Sequence, residues 1–244
     1  MSRQLTIEQA EPVLRCLNGL DVVLIGGQAL QHWCREYRHA PELANDVFTS
    51  KDVHFQGTKD ALLTAAHRLG AEARLAPMNA LPILGVLDFD LQDGEGPVRV
   101  DFLLEPTGLN HADVVEAAVK LNARDISVRV LHPIHCLISR IENVFQAPHK
   151  YDTEHGLRQL RASIVCAREF ILALSRADVA GALDAAVSVA KICQSTASIW
   201  VWRTRQIDVA AAIPITGLPQ EFYEGRLPKL LARIDRKRAR VDGA

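Results

Sequence analysis

Val22-Val23-Leu24-Ile25-Gly26-Gly27-Gln28-Ala29-Leu30 and, after an irregular segment, Ser50-Lys51-Asp52-Val53-His54-Phe55 decide how this chain is read. The apolar run Val22–Ile25 spells a buried strand and feeds directly into Gly26-Gly27. Apolar residues at helical spacing follow from Ala29 to Tyr37. A strand that turns at paired glycines into a helix presents bare backbone N–H groups at the helix N-terminus, a favourable place to hold a phosphate. Asp52 and His54 lie two apart on a second strand, so their side chains share one face. A phosphate cradle together with polar, metal-ligating side chains is a layout for phosphoryl or nucleotidyl chemistry.

Working outward, Thr6 is placed to cap a first helix over 7–17, with Gln9 completing a capping box. Pro12 kinks that helix or begins it. The strand at 21–25 and a helix over 28–38 come next, then a loop over 39–49 and the second strand at 51–55. Thr58 and Gly70 bracket a helix over 59–69. A short strand is expected at 72–75, a bend at 77–82 and a hairpin of 85–91 with 98–104 around the turn chemistry of residues 92–97. Helix over 111–121 and a last strand at 126–130 complete this half. From His132-Pro133 the pattern is helical only: 134–145, then 154–176, 178–205 and 219–240, the last interrupted at Pro228. The expected fold class is α/β, a small mixed sheet in a domain of residues 1–131, followed by an all-helical domain of residues 132–244.

Composition bounds the function classes. Hydrophobic residues make up 48% and charged residues 23%, enough for a full core with a solvated surface. The formal net charge is −1, so any nucleic-acid contact has to come from a local patch. Five scattered cysteines, Cys16, Cys34, Cys136, Cys166 and Cys193, lack metal-binding spacing and read as small buried hydrophobes in a reducing cytoplasm. No apolar run is long enough to span a bilayer, and the first residues lack the apolar core of a signal peptide. The expectation is a soluble cytoplasmic protein without a membrane partner.

Gly26-Gly27, then Asp52-Val53-His54, then Arg99-Val100-Asp101-Phe102 together resemble the nucleotidyltransferase superfamily of the DNA polymerase β type. The resemblance is nearest to bacterial nucleotidyltransferase-like proteins of the AbiEii toxin and related uncharacterised groups. It rests on Gly26-Gly27-Gln28-Ala29-Leu30, Ser50-Lys51-Asp52-Val53-His54-Phe55 and Leu131-His132-Pro133, and covers roughly the first 150 residues. It implies metal-dependent transfer of a nucleotidyl group from an NTP, with Mg or Mn as cofactor and a protein or RNA acceptor. Asp52, His54 and Asp101 are the implied catalytic and metal-binding positions. Gly26, Gly27, Gln28 and Lys51 are the implied nucleotide-binding ones. The resemblance equally admits a non-catalytic relative that binds a nucleotide or a protein partner, as a toxin–antitoxin component does.

His54 departs from the pattern, which places Asp or Glu there. An imidazole removes a negative charge and suits softer ions better than Mg²⁺. Asp88 and Asp90 share a face of the hairpin and compete with Asp101 for the third position, although Val100-Asp101-Phe102 fits the motif better. Arg140, Lys150, Arg158 and Arg161 read as solvated helix surface or as triphosphate contacts. His132, His135, His149 and His155 read as junction or surface residues. Arg233, Arg236, Lys237, Arg238 and Arg240 read as cations suited to a helix C-terminus, with RNA phosphate contact as the alternative. Trp200 and Trp202 read as packing within a helical bundle or at a dimer contact.

Overall fold

The computed structural model describes residues 4–44, 49–80, 82–91, 95–123 and 126–242. The chain divides into two units, one of Met1–Glu36 with Asp46–Ser139, the other of Tyr37–Asn45 with Arg140–Ala244. Of the expected loop at 39–49 and turn at 92–97, residues 45–48 and 92–94 lie outside the described residues.

The first unit is built on seven strands: β1 (Val23–Ile25), β2 (Asp52–Gln56), β3 (Ala73–Leu75), β4 (Ile83–Asp90), β5 (Pro97–Leu103), β6 (Val119–Ala123) and β7 (Ile126–Val130). They form one mixed sheet in the order β3-β4-β5-β2-β1-β7-β6. β2 runs parallel to β5 and antiparallel to β1, and β1 runs parallel to β7. Alternation decides the faces of the central strands: Val53, Phe55, Val100 and Phe102 are fully buried, whereas Asp52, His54 and Asp101 keep partial access to solvent. The Phe55 and Phe102 rings meet in the core with centroids 5.7 Å apart.

Helices α1 (Glu11–Cys16), α2 (Gly26–Glu36), α3 (Lys59–Leu69) and α4 (His111–Ala117) join the strands. Thr58 caps α3 by accepting from the Ala61 amide, and Gly70 closes it at φ 62°. Such a cap contributes roughly 1 kcal/mol. Thr6 and Gln9 exchange the two capping-box bonds, but on a turn. The helix itself begins at Glu11, with Pro12 in its first turn, where a missing N–H costs nothing.

One expectation is overturned here. The helix expected over 111–121 stops at Ala117, and Val119–Ala123 is a strand. Val119, Lys120, Leu121, Asn122 and Ala123 pair in antiparallel register with β7 from Val130 back to Ile126. Tertiary pairing outweighs the local helical pattern, and Leu121 is buried on that hairpin.

After Val130 every regular element among the described residues is helical: α5 (Pro133–Gln146), α6 (Pro148–Tyr151), α7 (Glu154–Ser175), α8 (Val179–Ile192), α9 (Thr196–Arg205) and α10 (Leu227–Asp242), with short 3₁₀ and π turns. The division between the units falls within α5. The single helix expected over 178–205 is two, because the Ser195 hydroxyl accepts from the Ser198 amide and starts α9 afresh. A π turn at Phe222–Arg226 leads into α10, whose second residue is Pro228. Proline has no N–H for the carbonyl one turn back, and the wider turn accommodates the lost bond.

Candidate metal centre

In the β2–β5 pair, His54 stands opposite Asp101 and Asp52 opposite Arg99. Parallel register therefore gathers on one face what the sequence separates by nearly fifty positions. His54 Nε2 lies 3.1 Å from Asp52 Oδ2 and 3.1 Å from Asp101 Oδ2. Ser50 Oγ donates to Asp52 Oδ1 at 3.3 Å, and Arg99 Nε donates to Asp101 Oδ1 at 2.7 Å. Each carboxylate is thus held on one oxygen and offers the other to the imidazole. The His54 side chain is 26% exposed, enough for a ligand or ion to reach it.

Electrostatics follow from this geometry. Burial alone pushes the imidazolium of His54 down, but hydrogen bonds to Asp101 and Asp52 and their negative charge outweigh it. The net effect raises His54 from 6.5 to about 9. Burial pushes Asp101 up, yet the bonds and charges of His54 and Arg99 prevail and hold it below its ordinary range. With His54 protonated, two carboxylates, one imidazolium and one guanidinium sum to zero charge.

The glycine turn meets the same group. β1 pairs with β2 so that Ile25 faces His54, and Gly26 follows at φ 70°. A Cβ built on Gly26 would stand 2.8 Å from His54 Nδ1. Glycine is required there twice, for its backbone conformation and for the space the ring occupies. The N-terminus of α2, where negative charge is favoured, lies beside this ring.

Among the described residues, Asp52, His54 and Asp101 are the group able to offer three metal ligands, their ligand atoms lying within 4.8 Å of one another. The donor set fits one divalent ion. Adjacent ligands about 2.2 Å from an ion stand roughly 3 Å apart, as Nε2 and each carboxylate oxygen do. It fits a pair of ions less well, because an imidazole nitrogen has one lone pair and cannot bridge. Nitrogen in the set favours Mn²⁺ or a later transition ion over Mg²⁺.

Gly27 is buried at the start of α2, and Lys51 is exposed just before β2. Gln28 is fully buried and donates to the Leu5 carbonyl at 3.2 Å, as Gln31 does at 3.1 Å. Leu5 also bridges Ser50 through both backbone groups, so Gln28 braces the strand entry that carries Asp52. Asp88 forms an ion pair with Arg74 at 2.6 Å.

Arg99 and Ser50 are the site residues that sequence reasoning missed. Arg99 stands two positions before Asp101, the spacing that puts both on one face. His132, expected as a junction or surface residue, accepts from the Ile134 amide at 3.2 Å and opens α5. Burial lowers its pKa to about 4 and the neighbouring His135 adds to this, so it serves as a neutral acceptor. In the second unit Arg140 is buried and donates to Gln159 at 2.8 Å. Cys34, Cys136, Cys166 and Cys193 are buried and free of disulfides, and Cys16 is half-buried. No described helix is long and apolar enough to cross a membrane. Compared with models of known protein families and with curated proteins, the chain matches none.

Proposed function

We propose that the first unit is a nucleotidyltransferase-like domain that binds an NTP with one divalent ion and transfers a nucleotidyl group to a protein or RNA acceptor in the cytoplasm. The observation that carries this reading is the convergence of Asp52, His54 and Asp101 on one sheet face beside the Gly26 turn. Asp52, His54 and Asp101 would hold the ion, Mn²⁺ in preference to Mg²⁺ on the donor set. Such an ion supplies charge neutralisation at the triphosphate and acidifies an attacking hydroxyl. Arg99 and Ser50 keep the two carboxylates aimed inward, and Gly26-Gly27 would bring backbone N–H groups to the phosphates.

A second reading is favoured by one observation: protonated His54 together with Arg99 already neutralises both carboxylates at neutral pH. A non-catalytic relative that binds a nucleotide or a protein partner, in the manner of a toxin–antitoxin component, would use the cluster as an internal ion triad. Calorimetric titration of the four NTPs, with Mn²⁺, with Mg²⁺ and without metal, separates the two. Metal-dependent binding that disappears in Asp52→Ala supports the transferase. Metal-independent binding retained in Asp52→Ala supports the second reading. No binding of any NTP refutes both nucleotide readings and leaves a protein partner.

A further inference from the structure

α10 carries Lys229, Arg233, Arg236, Lys237 and Arg240 on its exposed surface. At 100° per residue these five fall within an arc of about 100°, and at 1.5 Å per residue the row is roughly 16 Å long. Leu230 and Ile234 are buried on another face of the helix, and exposed Asp235 points away from the row. Arg238, which the sequence groups with these cations, is not one of them: it is buried, pairs with Asp208 and lies over the Trp202 ring at 4.6 Å. Among the described residues, Lys229, Arg233, Lys237 and Arg240 form no ion pair with an acidic side chain.

The helix dipole does not account for the row. Arg240 is its member in the last turn, whereas Lys229 and Arg233 lie well before that turn, beyond the reach of the C-terminal dipole. The row also borders a cavity of about 240 Å³ lined by Thr196, Ile199, Trp200, Arg203, Thr204 and Lys237. Trp200 is half-buried there, its ring braced by Phe145 at 5.9 Å. An aromatic ring, two cations and two hydroxyls beside a line of positive charge is the chemistry that takes an unpaired base and tracks the phosphates next to it.

We propose that the second unit binds single-stranded nucleic acid, one base entering the Trp200 cavity and the adjoining phosphates lying along Lys229, Arg233, Arg236, Lys237 and Arg240. A duplex keeps its bases stacked and would leave the cavity unused. This inference stands whether or not the first unit transfers nucleotides.

Anisotropy titration of labelled 20-nucleotide single-stranded RNA and DNA with the full chain tests it, alongside a duplex of the same sequence and vesicles of anionic lipid. One phosphate neutralised per cation of the row gives a salt slope of roughly −3.5, so binding should weaken roughly a hundredfold between 50 and 200 mM salt. The triple variant Arg233→Gln, Arg236→Gln, Lys237→Gln should reduce that slope by about 2. Arg176→Gln with Lys191→Gln, two exposed cations elsewhere on the unit, should leave it unchanged. Trp200 fluorescence should be quenched on binding, and Trp200→Leu should weaken single strands more than duplex. All substituted cations are exposed, and circular dichroism checks that the helices remain. Absence of binding at 50 mM salt overturns the proposal. So do equal affinity in the triple variant, a preference for duplex, and binding to vesicles in place of oligonucleotides.

Discussion

Replacing His54 by Gln should remove a pH-dependent contribution to stability that no other residue supplies. The imidazolium of His54 bonds both Asp52 and Asp101, which raises its pKa from 6.5 to about 9. That rise corresponds to roughly 3 kcal/mol at about 1.4 kcal/mol per pH unit. A group whose folded pKa is raised stabilises fully below its unfolded value and loses the effect as pH rises through its folded value. The contribution should therefore be complete below about pH 6.5, decline between 6.5 and 9, and be absent above. Asp101, held low by the same contacts, reports this interaction from the other side and is not added to it. Urea unfolding of both proteins at pH 6, 7.5 and 9.5 measures the difference. Trp33, buried in the first unit with its indole bonded to the Leu131 carbonyl, reports on that unit when Trp200 and Trp202 are changed to Phe. The wild-type advantage over His54→Gln should fall by roughly 3 kcal/mol from pH 6 to pH 9.5. An advantage independent of pH, or an imidazole that titrates at or below 6.5 by NMR, refutes the reasoning.

Two glycines with the same backbone conformation separate strain from collision. Gly19→Ala, at φ 75° with open space around the new Cβ, should cost about 1 kcal/mol in thermal or urea unfolding. Gly26→Ala, at φ 70° with Nδ1 of His54 2.8 Å from the new Cβ, should cost at least about twice that and shift the His54 titration. His54→Asp should lower stability in metal-free buffer by placing three carboxylates together, and calorimetry should find at least about tenfold tighter binding of Mg²⁺.

The site was legible in sequence where chemistry is local, and hidden where register decides. Asp52 and His54 are two apart on a strand, so their shared face follows from the pleat. Thr58, Gly70 and the apolar spacing between them fix α3, because a cap and a left-handed closure are properties of a few neighbouring residues. The motif favours Asp101 over Asp88, but the physical reason lies in the pairing. Parallel alignment sets Asp101 opposite His54, while Asp88 stands opposite Arg99 and pairs with Arg74. The Val119–Ala123 strand was hidden for the same reason, since its partner β7 comes later in the chain. Gln28 reads as a ligand contact beside two glycines, yet the turn at Gly26 directs it inward to Leu5. The row on α10 was visible as composition, but only burial shows that Arg238 leaves it.

At this candidate centre a proton and a metal ion would compete for one atom. Nε2 of His54 either carries a hydrogen shared with Asp52 and Asp101 or offers its lone pair to an ion between them; the same 3.1 Å distances serve both. With the imidazole pKa at about 9, the proton holds an advantage of about a hundredfold at pH 7. An ion that displaces it must draw the difference from Asp52, Asp101 and whatever anion arrives with it. On the proposed reading, a triphosphate at the Gly26 turn would be such an anion. On that reading, metal and nucleotide binding at this site would be mutually dependent, each weak alone and stronger together.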